Sequence, residues 1–244
     1  MDTLSEKEKY YQEWVKRVTS FLEEVGPDLG NGGRSCSVMQ SRPVLEKDVD
    51  VVFLGCNPNE DWGYCGVDNE RFLNGNAPYE VIIKWKVLYK LQGAFLWLNK
   101  TIDRWKEEPE EPLKDGNFVF MNAYYFGTKD LAQLDSLPGI EPLKKKCLEY
   151  TEDVIKNVFK PKLIVCFSIP DCFDELNKQC DFQGVQSLTP LYPYPDKYTS
   201  KQTVKVGMWN DIRVIGIPHP SQAISNDDWG CIGNFILEQM HNCK

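Results

Sequence analysis

The chain has 244 residues, 42% hydrophobic and 26% charged, with a formal net charge of −8. That composition is ordinary for a globular protein and fits one α/β domain. No apolar stretch reaches the ~18 residues needed to span a membrane. The acidic start "MDTLSEKEKYYQEW" is unlike a signal or transit peptide, so the expected location is intracellular, cytoplasmic or nuclear. The negative balance argues against unspecific attraction to a polyanion and leaves only a local basic rim for such a partner.

Residues 4–25 place Tyr11, Trp14, Val15, Val18, Phe21 and Leu22 at three- and four-residue spacing, which predicts an amphipathic N-terminal helix. The turn residues of "GPDLGNGG", 26–33, end it. The continuous apolar run 49–55 reads as a buried parallel strand. Residues 79–106 read as one long helix or two, weakest at Gly93, and "NFVFMNAYYF", 117–126, as a second strand. A helix over 140–159, a strand over 162–168 and a short helix over 170–178 follow. The Tyr- and Pro-rich stretch 187–201 predicts an irregular loop. Residues 202–218 predict a hairpin turning at Asn210-Asp211, whose second arm is the fourth apolar run. The last helix is expected to start near Asp227-Asp228, whose carboxylates suit a helix N-terminus.

Alternating strands and helices predict a three-layer α/β/α sandwich, with a central, mostly parallel four-stranded sheet in a single domain. The nine cysteines lack C-x-x-C spacing. Cys56, Cys166 and Cys231 lie in apolar segments and read as small core residues in a reducing setting. With only two histidines, neither a metal nor a cofactor is expected.

Ligands of open α/β sheets bind at the carboxyl edge. The strand ends there carry Cys56-Asn57-Pro58, Asn122, Ser168, and Pro218-His219-Pro220-Ser221. Each has a plain structural reading. Asn57 before Pro58 suits a turn, His219 between two prolines suits a rigid corner, and Asn122 suits satisfaction of loose backbone groups. Their recurrence at successive strand ends is what points to a site.

"GCNPNEDW" and "HPSQAIS" resemble the two signature motifs of the uracil-DNA glycosylase superfamily, a G-x-(D/N)-P phrase after the first core strand and H-P-S after the last. "FVFMNAYYF" resembles the strand whose terminal Asn reads a pyrimidine edge, and "KWKVLYKLQGAF" is similar to a helix of the mismatch-specific branch. The likeness covers residues 49–240 in element order. It implies cleavage of the N-glycosidic bond of uracil or a related damaged base in DNA. His219 would donate to the base O2 as charge develops, and Asn57 would hold the attacking water. Asn122 would read the Watson–Crick edge of a flipped base, and Trp62, Tyr64 or Phe72 would stack on it. Ser221, Gln222, Ala223 and Ile224 would form the DNA-binding loop, with Ala223 or Ile224 as the wedge.

The chain also departs from the family pattern. Gln222 stands where Pro is frequent, and Asp227 and Asp228 follow the H-P-S loop, where like charge would meet phosphates. An iron–sulfur cysteine pattern is absent. Asn57 is an amide that takes no proton, so an Asp at that position is expected to keep or raise the rate. The alternatives are a non-catalytic nucleobase- or nucleotide-binding module, or a protein-interaction domain, on the same fold.

Overall fold

The computed structural model describes residues 5–30, 33–58, 117–192, 198–220 and 222–242. These form an α/β fold with six principal strands, a short two-stranded ribbon and five α-helices. The expected helical segment 79–106 lies outside the described residues. The chain divides into two compact units, one within Met1–Pro78 and Val119–Pro161, the other within Tyr79–Phe118 and Lys162–Lys244.

The first unit is built around α1 (Glu6–Val25), β1 (Val51–Gly55), β2 (Phe118–Asn122), α2 (Leu131–Asp135) and α3 (Ile140–Val154). A capping box starts α1. The Ser5 hydroxyl accepts from the Glu8 amide, and the Glu8 carboxylate accepts from the Ser5 amide. The stripe Tyr11, Trp14, Val15, Val18 and Leu22 is buried as its spacing predicts. Trp14 Nε1 donates to the Tyr150 carbonyl at 2.9 Å, which ties α1 to α3. On the outer side, Asp153 of α3 accepts from Tyr10, Arg17 and Asn157. Partial burial would raise this carboxyl's pKa, but the three donors outweigh it and hold it below the usual range. Strand β1 neighbours β2, and both are buried apart from the half-buried Gly55, with Asn122 as the one polar side chain. Beyond α3 the chain makes one wide turn, with the Lys160 amide donating to the Ile155 carbonyl. It then leaves through Lys160 at φ 46°.

The second unit comprises β3 (Leu163–Phe167), α4 (Asp174–Cys180), β4 (Gln183–Leu188), β5 (Leu191–Tyr192), β6 (Tyr198–Thr199), β7 (Val204–Trp209), β8 (Ile212–Ile217) and α5 (Asn226–Asn242). Its strand order is β3-β8-β7-β4. Strands β3 and β8 are parallel, with Phe167 opposite Ile217. The β7–β8 hairpin turns at Asn210 and Asp211, both at positive φ, as the sequence predicts. The count of four strands needs correction. The hairpin's first arm, β7, and the edge strand β4 both join a sheet, and both of their pairings in this unit are antiparallel. Strand β4 escapes a pattern search because all six of its residues are exposed and it carries no apolar run. The loop expected over 187–201 contains the small β5–β6 ribbon.

Candidate active site

In the first unit, β1 and β2 end side by side. The Ala123 amide donates to the Gly55 carbonyl and the Tyr124 amide to the Cys56 carbonyl, each at 2.8 Å. Asn57 and Asn122 therefore leave neighbouring strand ends. The Asn57 carboxamide is half-buried, and its amide nitrogen donates to the Pro58 carbonyl at 3.0 Å and to Thr128 Oγ1 at 2.9 Å. The Thr128 hydroxyl gives its single proton to the Asp130 carbonyl at 2.8 Å, so toward Asn57 it is an acceptor. That assigns the amide orientation on chemical grounds. Both N–H groups are spent on the protein, and among the described residues the Asn57 oxygen has no donor. It is a fixed acceptor suited to hold a water.

The same bonding tells against a gain of rate from Asp at position 57. A carboxylate would face the Pro58 carbonyl across the 3.0 Å that an N–H now bridges, with no proton between the two oxygens.

Asn122 is 3% exposed. One of its N–H groups donates to the Ser37 carbonyl at 3.2 Å. The second N–H and Oδ1 remain as a donor–acceptor pair. The segment carrying Ser37 runs antiparallel beside β2, bridged at Cys36–Phe126 and Met39–Met121. Gly55 is required here. A Cβ on it would lie 2.8 Å from Asn122 Oδ1.

In the second unit, the parallel register of β3 and β8 brings Ser168 beside Pro218 and hence near His219. The Ser168 amide donates to the Ile217 carbonyl at 3.1 Å. Ser168 is buried at φ 81°, a strained backbone for a non-glycine residue. It is held by its hydroxyl bond to Asp171 at 2.7 Å and by the Cys172 and Phe173 amides on its carbonyl. His219 is half-buried, and its carbonyl accepts from the Gln222 amide at 2.8 Å, closing a turn around Pro220. Gln222 and Ala223 are exposed and Ile224 is half-buried. Ser221, Trp62, Tyr64 and Phe72 lie outside the described residues.

The turn leads into α5 through Ser225, whose hydroxyl donates to Asp228 at 2.7 Å. Asp228 also accepts from the Ser200 hydroxyl and the Lys201 amide, and is 3% exposed. Its charge is thus compensated inside the unit, and only Asp227 of the acidic pair is exposed. Burial, with Asp228 and then Asp227 nearby, pushes the Cys231 thiol up to about 11, which makes it a poor nucleophile at neutral pH. Among the described residues no cluster of His, Cys, Asp or Glu is arranged to hold a metal ion, and no helix is long and apolar enough to cross a membrane.

Compared with protein-family models, the chain matches none, and compared with curated proteins it matches none. Two contributors to the site escape sequence reading. Thr128 anchors Asn57 from 71 positions away, and Gly55 makes room for Asn122. Only the glycine of the G-x-N-P phrase carries a trace of its role. Thr128→Val keeps the shape and removes the acceptor. Because the buried hydroxyl also donates to the Asp130 carbonyl, the variant is expected to lower the melting temperature by a few degrees, and, on the hydrolase reading proposed below, to slow base release about tenfold, the worth of one hydrogen bond of ~1.4 kcal/mol. Single-turnover kinetics on a uracil-containing oligonucleotide check this.

Proposed function

We propose that this chain is an N-glycosyl hydrolase of the uracil-DNA glycosylase type, a three-layer α/β/α protein that removes uracil or a related damaged base from DNA. The observation that supports it most is the Asn57 carboxamide, locked by two donated hydrogen bonds with its oxygen left as an acceptor. Breaking a nucleoside C–N bond leaves an oxocarbenium-like sugar and a base anion. A water must be aimed at the first, and a donor must meet the second. In this reading Asn57 aims the water and His219 donates to the base O2. The remaining N–H and oxygen of Asn122 complement the O4 and N3–H of uracil, as bidentate readout requires. Trp62, Tyr64 or Phe72 stacks on the base. Ser221, Gln222, Ala223 and Ile224 meet the DNA, with Ala223 or Ile224 as the wedge.

The second reading, a nucleobase-binding module without chemistry, draws support from the amide at position 57 and the charge of −8. Both weaken catalysis on a polyanion. One experiment separates the two. Release of free base is measured at low salt from single- and double-stranded oligonucleotides carrying uracil, hypoxanthine, xanthine or a thymine mismatch, with His219→Ala as control. Release above the control from any of them supports the hydrolase. No release from all of them, with tight binding of free base, leaves the binding module.

A further inference from the structure

The strongest feature outside the residues already assigned is one buried carboxylate, Asp228, that joins two separate segments of the second unit. The first segment is the β5–β6 ribbon. Its base is closed by the Ser200 amide on the Pro190 carbonyl at 3.0 Å, and Asn234 of α5 donates to the Leu191 carbonyl at 3.4 Å. The second segment is the loop that follows His219. There the Gln222 amide donates to the His219 carbonyl at 2.8 Å, and the Ile224 amide to the Gln222 carbonyl at 3.2 Å. The loop ends at Ser225, whose carbonyl accepts from the Trp229 amide at 3.1 Å.

Asp228 turns one oxygen to each segment. Oδ1 accepts from the Ser200 hydroxyl at 2.9 Å and from the Lys201 amide at 2.8 Å. Oδ2 accepts from the Ser225 hydroxyl at 2.7 Å, and the Asp228 amide returns a bond to Ser225 Oγ at 3.1 Å. The Gln202 amide donates to Ser200 Oγ at 2.9 Å, which leaves the hydroxyl proton for Asp228. The Ser225 half of this arrangement is helix capping. Capping asks for no donor from a segment 28 positions earlier. Nor does it ask for burial, yet Asp228 is 3% exposed and Ser200 4%. A carboxylate enclosed this far must be met by several donors, and here they come from both segments.

We propose that Asp228 is a positioning residue: it braces the loop after His219 against the β5–β6 ribbon, so that the ribbon helps set the pose of the exposed Gln222 and Ala223 and the half-buried Ile224. In this role Asp228 touches no reacting atom. The inference rests on the hydrolase reading for what the loop meets, which is DNA. The brace itself does not depend on that reading.

The test uses the full chain and reads amide hydrogen exchange at Gln222 and Ile224, with the buried Val165 of β3 as the reference for global opening. Ser200→Ala removes a donor from the ribbon side alone. It is expected to speed exchange at Gln222 and Ile224 about fivefold relative to Val165. Asp228→Ala removes the brace and is expected to speed it about tenfold. Asp228→Asn is the conservative variant. Its Oδ1 still accepts from the Lys201 amide and its Nδ2 can donate to Ser225 Oγ, so exchange is expected to stay within about twofold of wild type. If Asp228→Ala does not fold, Ser200→Ala and Asp228→Asn carry the test. On a uracil-containing oligonucleotide, Ser200→Ala is expected to raise KM about fivefold with kcat within about twofold, because His219 leaves β8 ahead of the loop. Exchange at Gln222 and Ile224 unchanged in Ser200→Ala overturns the proposal, as does a faster exchange that Val165 shares in full. A fall in kcat at constant KM overturns it too, since the ribbon would then act on the chemistry and not through the loop. Loop exchange that responds to Ser200→Ala, without base release from any substrate, upholds the brace and rejects the hydrolase reading.

Discussion

Replacing His219 by alanine is expected to abolish base release, lowering single-turnover rates by ~10²–10³, the loss typical when one preorganised donor to developing negative charge is removed. The size of the effect follows from what surrounds the residue. His219 leaves the end of β8 in a turn closed by the Gln222 amide on its own carbonyl, flanked by Pro218 and Pro220. On the hydrolase reading, the turn fixes the backbone from which the imidazole would donate, so little of it has to move when charge appears on the base. The chain's other histidine, His241, is in the last turn of α5 and exposed, so nothing of the same chemistry follows in sequence to take over. The ring is half-buried, which keeps the stability cost small. The variant should melt within a few degrees of wild type. A variant that still releases base within about threefold of wild type would remove His219 from the chemistry, whatever the substrate.

The parts of the fold that were legible are those where burial imposes a pattern. Strands β1, β2, β3 and β8 are apolar runs whose ends carry the candidate residues, and α1 shows its buried stripe at helical spacing. Edge strands obey a different constraint. Gln183–Leu188 is fully exposed and irregular, with a register shift between Gln183 and Gln186, so its pairing with β7 is carried by backbone bonds and leaves no hydrophobic trace. The β5–β6 ribbon has two residues per strand, too few for any period.

The candidate site was legible to a similar depth. Asn57 follows β1 and Asn122 ends β2 in one unit, and His219 follows β8 in the other; each end is visible where an apolar run meets Pro or Asn. What holds the two asparagines is long-range. Thr128 and the Ser37 carbonyl act through single hydrogen bonds between segments far apart in the chain, and nothing in their own neighbourhood announces it.

Two glycines should separate function from folding. A methyl group at Gly55 would sit 2.8 Å from Asn122 Oδ1, with its next neighbours at 3.6 Å or more. The clash is with the tip of one side chain, so the fold yields there cheaply. Asn122, however, is pinned by its bond to the Ser37 carbonyl and must give up either that anchor or its orientation. Gly55→Ala is expected to cut base release about 10²-fold, the cost of misplacing one hydrogen-bonding group in a site built around it. Its destabilisation of ~1 kcal/mol corresponds to a melting temperature lower by roughly 2–4 °C for a chain of this size. At Gly216 of β8 the contrast is with Phe173, fully buried after β3. A Cβ there would meet Phe173 Cβ at 2.6 Å and Cγ at 2.7 Å. Rotation about χ1 moves the ring but leaves Cβ in place, so the backbone of the turn after β3 must shift. Gly216→Ala is expected to cost ~3 kcal/mol, the upper range for overpacking, and to lower the melting temperature by roughly 6–12 °C, while molecules that fold retain the rate per active site within a few-fold. Melting curves paired with active-site titration distinguish the two. Full activity in Gly55→Ala would mean that Asn122 does not read the base, and its donor–acceptor pair would then be structural.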